Sequence, residues 1–71
     1  MTIDEAFTKN LDSIMELNSI TATKLAERSG LSPAHIRTIR NGECQIKLRT
    51  AYAICRGLRK TLGEMTKGAD E

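Results

Sequence analysis

The apolar positions along the chain fall into five runs at helical spacing, and none alternates in the manner of a strand. Ile3, Ala6, Phe7, Leu11, Ile14 and Leu17 predict a first helix over roughly 3–17. Thr2-Ile-Asp-Glu5 ahead of that run fits a capping box. Asn18-Ser19-Ile20 makes the connection, with Ile20 expected against the core. A second helix is predicted at about 22–29, with Leu25 and Ala26 inward, and a third at about 33–41, with Ile36 and Ile39 on its buried side. After a loop at 43–47, Leu48, Ala51, Ile54, Cys55 and Leu58 form the stripe of a fourth helix. Thr61-Leu-Gly-Glu64 fits a second capping box and opens a short fifth helix carrying Leu62 and Met65. The tail from Lys67 reads as frayed. No repeat, low-complexity stretch or linker interrupts residues 1–71, so a single domain is expected.

The punctuation over residues 21–42 is the most specific signal in the chain. Thr21 can cap the second helix. Alanine at 26 lets another helix come close. Gly30 supplies the left-handed conformation that ends a helix without steric cost. Leu31 plugs the turn. Ser32-Pro33 is an N-cap followed by proline at the first helical position, where a missing N–H costs nothing. Asn41-Gly42 stops the third helix. Two short helices joined by such a tight turn make a helix-turn-helix, whose second helix enters the major groove of DNA.

Charge sharpens that expectation. The formal net charge is only +2, but it is unevenly spread. Asp4, Glu5, Asp12 and Glu16 against Lys9 give residues 1–19 a net −3, whereas residues 20–60 oppose nine Lys and Arg to Glu27 and Glu43, a net +7. Residues 61–71 return to −2. The positive charge therefore travels with the helix-turn-helix and the helix after it, as a phosphate-facing surface requires; a solvated basic surface is the plainer alternative. One Tyr, one Phe and no Trp argue against stacking on unpaired bases. No apolar run approaches membrane-spanning length, and the N-terminus lacks the basic-then-apolar layout of a secretion signal. Cys44 and Cys55 have neither CxxC spacing nor a histidine pair nearby, so reduced thiols of a cytoplasmic protein are expected and no metal or other cofactor. A core this small rarely yields more than about 3–5 kcal/mol, which leaves room for help from dimerisation or bound DNA.

From Ile20 to Met65 the chain resembles the Cro/cI-type (XRE-like) repressor DNA-binding domain. The resemblance rests on Lys-Leu-Ala-Glu-Arg-Ser-Gly-Leu-Ser at 24–32, on Ile36, Ile39 and Gly42, on the fourth-helix stripe ending at Leu58, and on Thr61, Glu64 and Met65. It implies a compact, all-α, five-helix lambda-repressor-like domain, binding double-stranded operator DNA, usually as a dimer on a pseudo-palindrome. Two positions depart from the family's habit. Arg40 stands where glutamate is common and adds a cation near the DNA backbone. Pro33 and Ala34 stand where the third helix often carries glutamine. They cannot form the bidentate bonds that read adenine or guanine, though they can pack against a thymine methyl.

With Ile36 and Ile39 inward, the third helix turns Ser32, Pro33, Ala34, Arg37, Thr38 and Asn41 outward. The resemblance places base contacts at Ser32, Pro33, Ala34 and Thr38, with Arg37 beside them. Arg37 alone among these can grip guanine O6 and N7 in a fork; its alternatives are a phosphate, or a pair with Glu27 or Glu43. Phosphate contacts are expected from Thr21, Ala22 and Thr23 at the start of the second helix. A second group comprises Asn41, Lys47 and Arg49 around the loop, with Arg40 nearby. His35, the only histidine, lies at the edge of this surface as a phosphate contact or a plain exposed side chain. Arg56, Arg59 and Lys60 read as too distant. About five such cations would give a slope near −4 to −5 in log K against log salt.

One helix-turn-helix reads few base pairs, so a specific operator needs two copies about 34 Å apart. No large dimerisation domain is expected after Met65. A weak homodimer, strengthened on DNA, would use Leu62 and Met65 with Tyr52 or Leu58, although for Leu58 and Leu62 closure of the monomer's own core is the preferred reading. The expected role is a small phage- or mobile-element-type repressor, cytoplasmic and nucleoid-associated when bound. A restriction-modification controller, or an antitoxin with a toxin partner, is the alternative. An enzyme is not expected: no nucleophile–base pair, metal cluster or phosphate-binding glycine loop is present.

Overall fold

Thr2 to Glu43 and Gln45 to Ala69 are described by a computed structural model, in which five helices run in chain order as α1 (Ile3–Leu17), α2 (Ala22–Ser29), α3 (Pro33–Arg40), α4 (Leu48–Leu58) and α5 (Leu62–Met65). Each start has a local cause. At α1 the Glu5 N–H donates to the Thr2 hydroxyl at 3.2 Å, while the Thr2 N–H donates to Glu5 Oε1 at 3.0 Å. The same reciprocal box opens α5, through Thr61 and Glu64. Thr21 caps α2 by accepting from the Lys24 N–H at 3.1 Å, and Ser32 caps α3 by accepting from the His35 N–H at 3.1 Å. Gly30 ends α2 at φ +80°, its N–H bonded to the Ala26 carbonyl. The third helix stops one residue short of the sequence expectation, with Asn41 as its C-cap.

The core is assembled from one face of every helix. Phe7, Leu11 and Met15 from α1 meet Leu25 and Ala26 from α2, Ile36 and Ile39 from α3, Ile54 and Cys55 from α4, and Met65 from α5. α2 packs chiefly on α4 and α3, and α1 on α3 and α5. The approach of α4 to α2 depends on Gly57, where an added Cβ would lie 3.2 Å from Leu25 Cδ1 and 3.4 Å from Arg28 Cβ. Leu31, Ile20 and Leu58 pack against the margin of this core.

Leu62, read as closing the core, stays 39% exposed, and three further residues of the periodic stripes are still less covered. Leu17 is 84% exposed, Leu48 73% and Ile3 60%. All three sit in terminal turns, and Ile3 and Leu48 line the same open groove. Beyond Leu17 the chain reverses through Ser19 at φ +53°, and Ile20 rather than Leu17 turns into the core. The tail is anchored further than expected: Asn10 Nδ2 donates to the carbonyls of Met65 at 2.8 Å and Lys67 at 3.1 Å. Asp70 and Glu71, the rest of the expected frayed segment, lie outside the described residues, as does Cys44.

Candidate nucleic-acid interface

The buried side of α3 is fixed by Ile36 and Ile39, both sealed from solvent, so the opposite side is presented outward. There Ser32, Ala34, His35 and Arg37 are exposed, and Pro33 and Thr38 half-buried. Ser32 is occupied in capping. Thr38 donates its hydroxyl proton to the Ala34 carbonyl at 3.0 Å, which leaves its oxygen free only to accept. Arg37 forms no ion pair with any described residue. Glu43, one of its expected alternatives, instead accepts from Asn41 Nδ2 at 3.0 Å.

Arg40 has a partner within the domain. Expected near the DNA backbone, it is held by α1: its Nε donates to Asp12 Oδ1 at 2.9 Å, and its Nη2 contacts the same carboxylate oxygen. The two side chains retain 28% and 45% of their exposure, so the pair sits at the domain's edge and couples α1 to the end of α3. Beside it the Thr8 hydroxyl donates to the Ile39 carbonyl at 3.4 Å, and Asp4 Oδ1 accepts from the Ile46 N–H at 3.1 Å. Sequence reasoning missed these anchors. Their signal is the spacing of Asp4, Thr8 and Asp12, four residues apart and therefore one face of α1.

Around α3 stand two further groups of predicted residues. At the start of α2, Thr21 and Thr23 are exposed and the side chain of Ala22 is buried; the amides of Ala22 and Thr23 open onto the helix end, because no earlier turn supplies carbonyls for them. Beyond α3, Asn41, Lys47 and Arg49 are exposed. Lys47 is the N-cap of α4 yet makes no side-chain cap bond. That helix begins with uncapped amides and two cations, an arrangement that repels further cations and favours an anion.

The residues predicted for a partner copy do not share one surface. Met65 is completely buried, because α5 packs on both α1 and α4; it belongs to the monomer's core. Leu62 lines a groove of about 150 Å³ together with Ile3, Phe7, Ile46, Leu48 and Ala51. Tyr52 is 61% exposed and does not line that groove, and the Arg56 guanidinium stands 5.9 Å from its ring centroid. Ile3 and Leu48, neither of them predicted for such a role, bring the exposed apolar surface of the groove.

Among the described residues no group of three or more His, Cys, Asp or Glu is placed to hold a metal ion. Cys55 is buried, and loss of solvent pushes its thiol pKa up, so the reactive thiolate is disfavoured. No described helix is long and apolar enough to cross a membrane.

A caps-and-glycine turn between α2 and α3, a sealed inner side and an open outer side on α3, and flanking exposed cations define a helix-turn-helix DNA-binding domain. The family comparison agrees: residues 10–67 match the model of the Cro/C1-type helix-turn-helix DNA-binding domain, and the chain belongs to that family. It is 32% identical over 57 residues to the uncharacterised HTH-type transcriptional regulator YozG of Bacillus subtilis, covering 79% of this chain and 68% of that protein. No solved structure matches the chain. DNA-binding regulation of transcription is the class of activity these likenesses support.

Proposed function

We propose that the protein is a sequence-specific repressor, of the small kind carried by phages and mobile elements, that closes a promoter by occupying a pseudo-palindromic operator. α3 enters the major groove with Arg37 as its base-reading fork, Thr38 as a short acceptor, and Pro33 and Ala34 against thymine methyls. Ser32 and His35 lie at the edge of the same surface. The start of α2 and the Asn41–Lys47–Arg49 cluster hold the phosphates and set the register without reading sequence. The observation that carries this reading is the contrast between neighbouring arginines: Arg40 is tied down by Asp12, while Arg37, on the outward side of the same helix, is uncommitted.

Two copies are needed to read an operator of useful length. The groove of Ile3, Leu48 and Leu62 supports a contact between them, since it opens at the start of α4 beside the phosphate-facing Lys47 and Arg49. Its small size fits a dimer that forms fully only on DNA.

Selection of bound sequences from a random duplex library tests the proposal. Enrichment of two half-sites about one helical turn apart, loosened at one position by Arg37→Ala, is the expected outcome. Binding that merely follows salt, with no enriched sequence, would reduce the α3 surface to a generic polyanion contact and sink the repressor reading.

A further inference from the structure

A second basic region adjoins this interface and shares only Arg49 with it, on the outer side of α4 and the C-terminal end of α2. Arg28, Arg56 and Arg59 line an open concavity of about 530 Å³. Arg28 and Arg56 also border its neighbour, of about 460 Å³, together with Arg49, Tyr52 and Gly30 of the turn. All four arginines are exposed, and none pairs with an acid among the described residues. The helix dipoles account for only part of this gathering. They favour Arg28 and Arg56, in the last turns of α2 and α4. They do not favour Arg49, which sits in the first turn of α4. Nor do they explain Arg59 at the C-cap with φ 58° and ψ 41°, a left-handed conformation that glycine adopts freely and arginine does not.

We propose that this surface is a docking site for an acidic segment of another protein, whose carboxylates enter the two concavities beside Tyr52 while α3 remains available to DNA. Three features favour a polypeptide over a duplex. The cluster is built from arginine, whose planar fork matches a carboxylate, and the nearby lysine, Lys60, faces Glu64 at 3.8 Å instead. Arginine and tyrosine are the residues that concentrate binding energy in protein interfaces, where lysine is depleted. The surface is concave at the scale of side chains, and Arg28 stands about 9 Å along α2 from the helix start offered to phosphate. The inference goes beyond the repressor reading and does not need it, since none of Arg28, Arg56 and Arg59 is assigned to the operator.

The test is fluorescence anisotropy in physiological salt with a short labelled peptide alternating Glu and Asp with Leu, against a control carrying Gln and Asn in place of the acids. The acidic peptide should bind and the control should not. Arg28→Ala combined with Arg56→Ala should weaken it about tenfold or more, while affinity for a selected duplex changes less than about twofold. Arg59→Gly, whose glycine suits the left-handed C-cap, should keep the fold and weaken the peptide as well, so the question survives if the double variant unfolds. No binding up to roughly millimolar peptide would overturn the proposal. So would an equal loss of peptide binding on Arg37→Ala, which would mark simple charge attraction. A parallel loss of duplex affinity in the double variant would assign the surface to DNA, and loss of a dimer in sedimentation would assign it to a second copy. Failure of the repressor reading shows separately, as absence of an enriched duplex sequence.

Discussion

α1 and α3 are both amphipathic helices with one side in the same core, yet their polar sides are used in opposite ways. On α1, Asp4, Thr8, Asn10 and Asp12 each reach another part of the chain: the loop before α4, the end of α3 and the segment after α5. On α3, the outward polar side chains are bonded within the helix or to no described residue at all, Arg40 excepted. Satisfying polar groups internally fixes a scaffold. Leaving them uncommitted on a rigid helix keeps them for a ligand, without the cost of breaking native bonds first. α1 is the frame, and α3 is what the frame holds out.

The comparison is broken most severely through the side of α3 that the two helices share. Ile36 is fully buried, and Ile36→Ala should cost about 2–5 kcal/mol, a large part of what a domain of this size has. Thermal melting followed by circular dichroism should show a broad, strongly lowered transition. A small shift there would mean that α3 is held mainly by its caps and not by the core. On the opposite side of the same helix, Arg37→Ala should leave stability within about 0.5 kcal/mol and weaken duplex binding by about 1–3 kcal/mol. Titration of one selected duplex, alongside the melt, separates the two effects. A melting shift comparable to that of Ile36→Ala would make Arg37 a structural residue.

How much of this division was legible beforehand follows from where each signal lives. Caps and turns are local: Thr2, Thr21, Ser32-Pro33, Gly30 and Thr61 act on amides within a few residues, so sequence alone placed the five helices nearly to the residue. Membership of the core is local only in mid-helix. Phe7, Leu25, Ile36 and Ile54 were readable from spacing, while Ile3, Leu17 and Leu48 share that spacing but sit in end turns left open to solvent. Pairings between helices distant in sequence were not readable. Asp12 and Arg40 are 28 residues apart, and only the packing of α1 on α3 brings them together. For the same reason Met65 read as a partner contact when the packing of α5 on α1 and α4 in fact seals it. The outward arc of α3 was legible as a surface, because burial of Ile36 and Ile39 determines it. The clustering of Arg28, Arg56 and Arg59 was not, since it depends on the close approach of α4 to α2 at Gly57.

The Asp12–Arg40 pair is where frame and reader meet, and a mutant cycle sharpens its role. Asp12→Ala and Arg40→Ala should each lower stability by about 1 kcal/mol, with the double variant little worse than either, as partly exposed, hydrogen-bonded ions behave. If Arg40 reached a phosphate instead, Arg40→Ala alone would reduce the salt slope of DNA binding by about 1, and Asp12→Ala would not. Parallel behaviour of the two variants, in both melting and salt dependence, supports a clamp between helices. Divergence in the slope returns Arg40 to the DNA.

The smallest expected effect concerns the frame alone. Glu5 and Glu64 close the capping boxes of α1 and α5. Bonds to the backbone N–H and hydroxyl of Thr2 and Thr61 hold both carboxyls below the usual glutamate range. A folded-state value below the unfolded one means that the stabilisation is complete above the ordinary glutamate pKa. It is lost as acid titrates the folded carboxylates. Melting temperature should therefore decline on acidification through and below that range, and Glu5→Gln should flatten the decline, since an amide still accepts from the cap but no longer titrates. Both groups face solvent, so the change is slight. α3 supplies the control: its cap is Ser32, with no glutamate behind it, and Ser32→Ala should lower the curve without altering its dependence on pH. If Glu5→Gln and the unsubstituted protein fall in parallel, the acid sensitivity lies in another group, and Glu64, in the second capping box, becomes the next to replace.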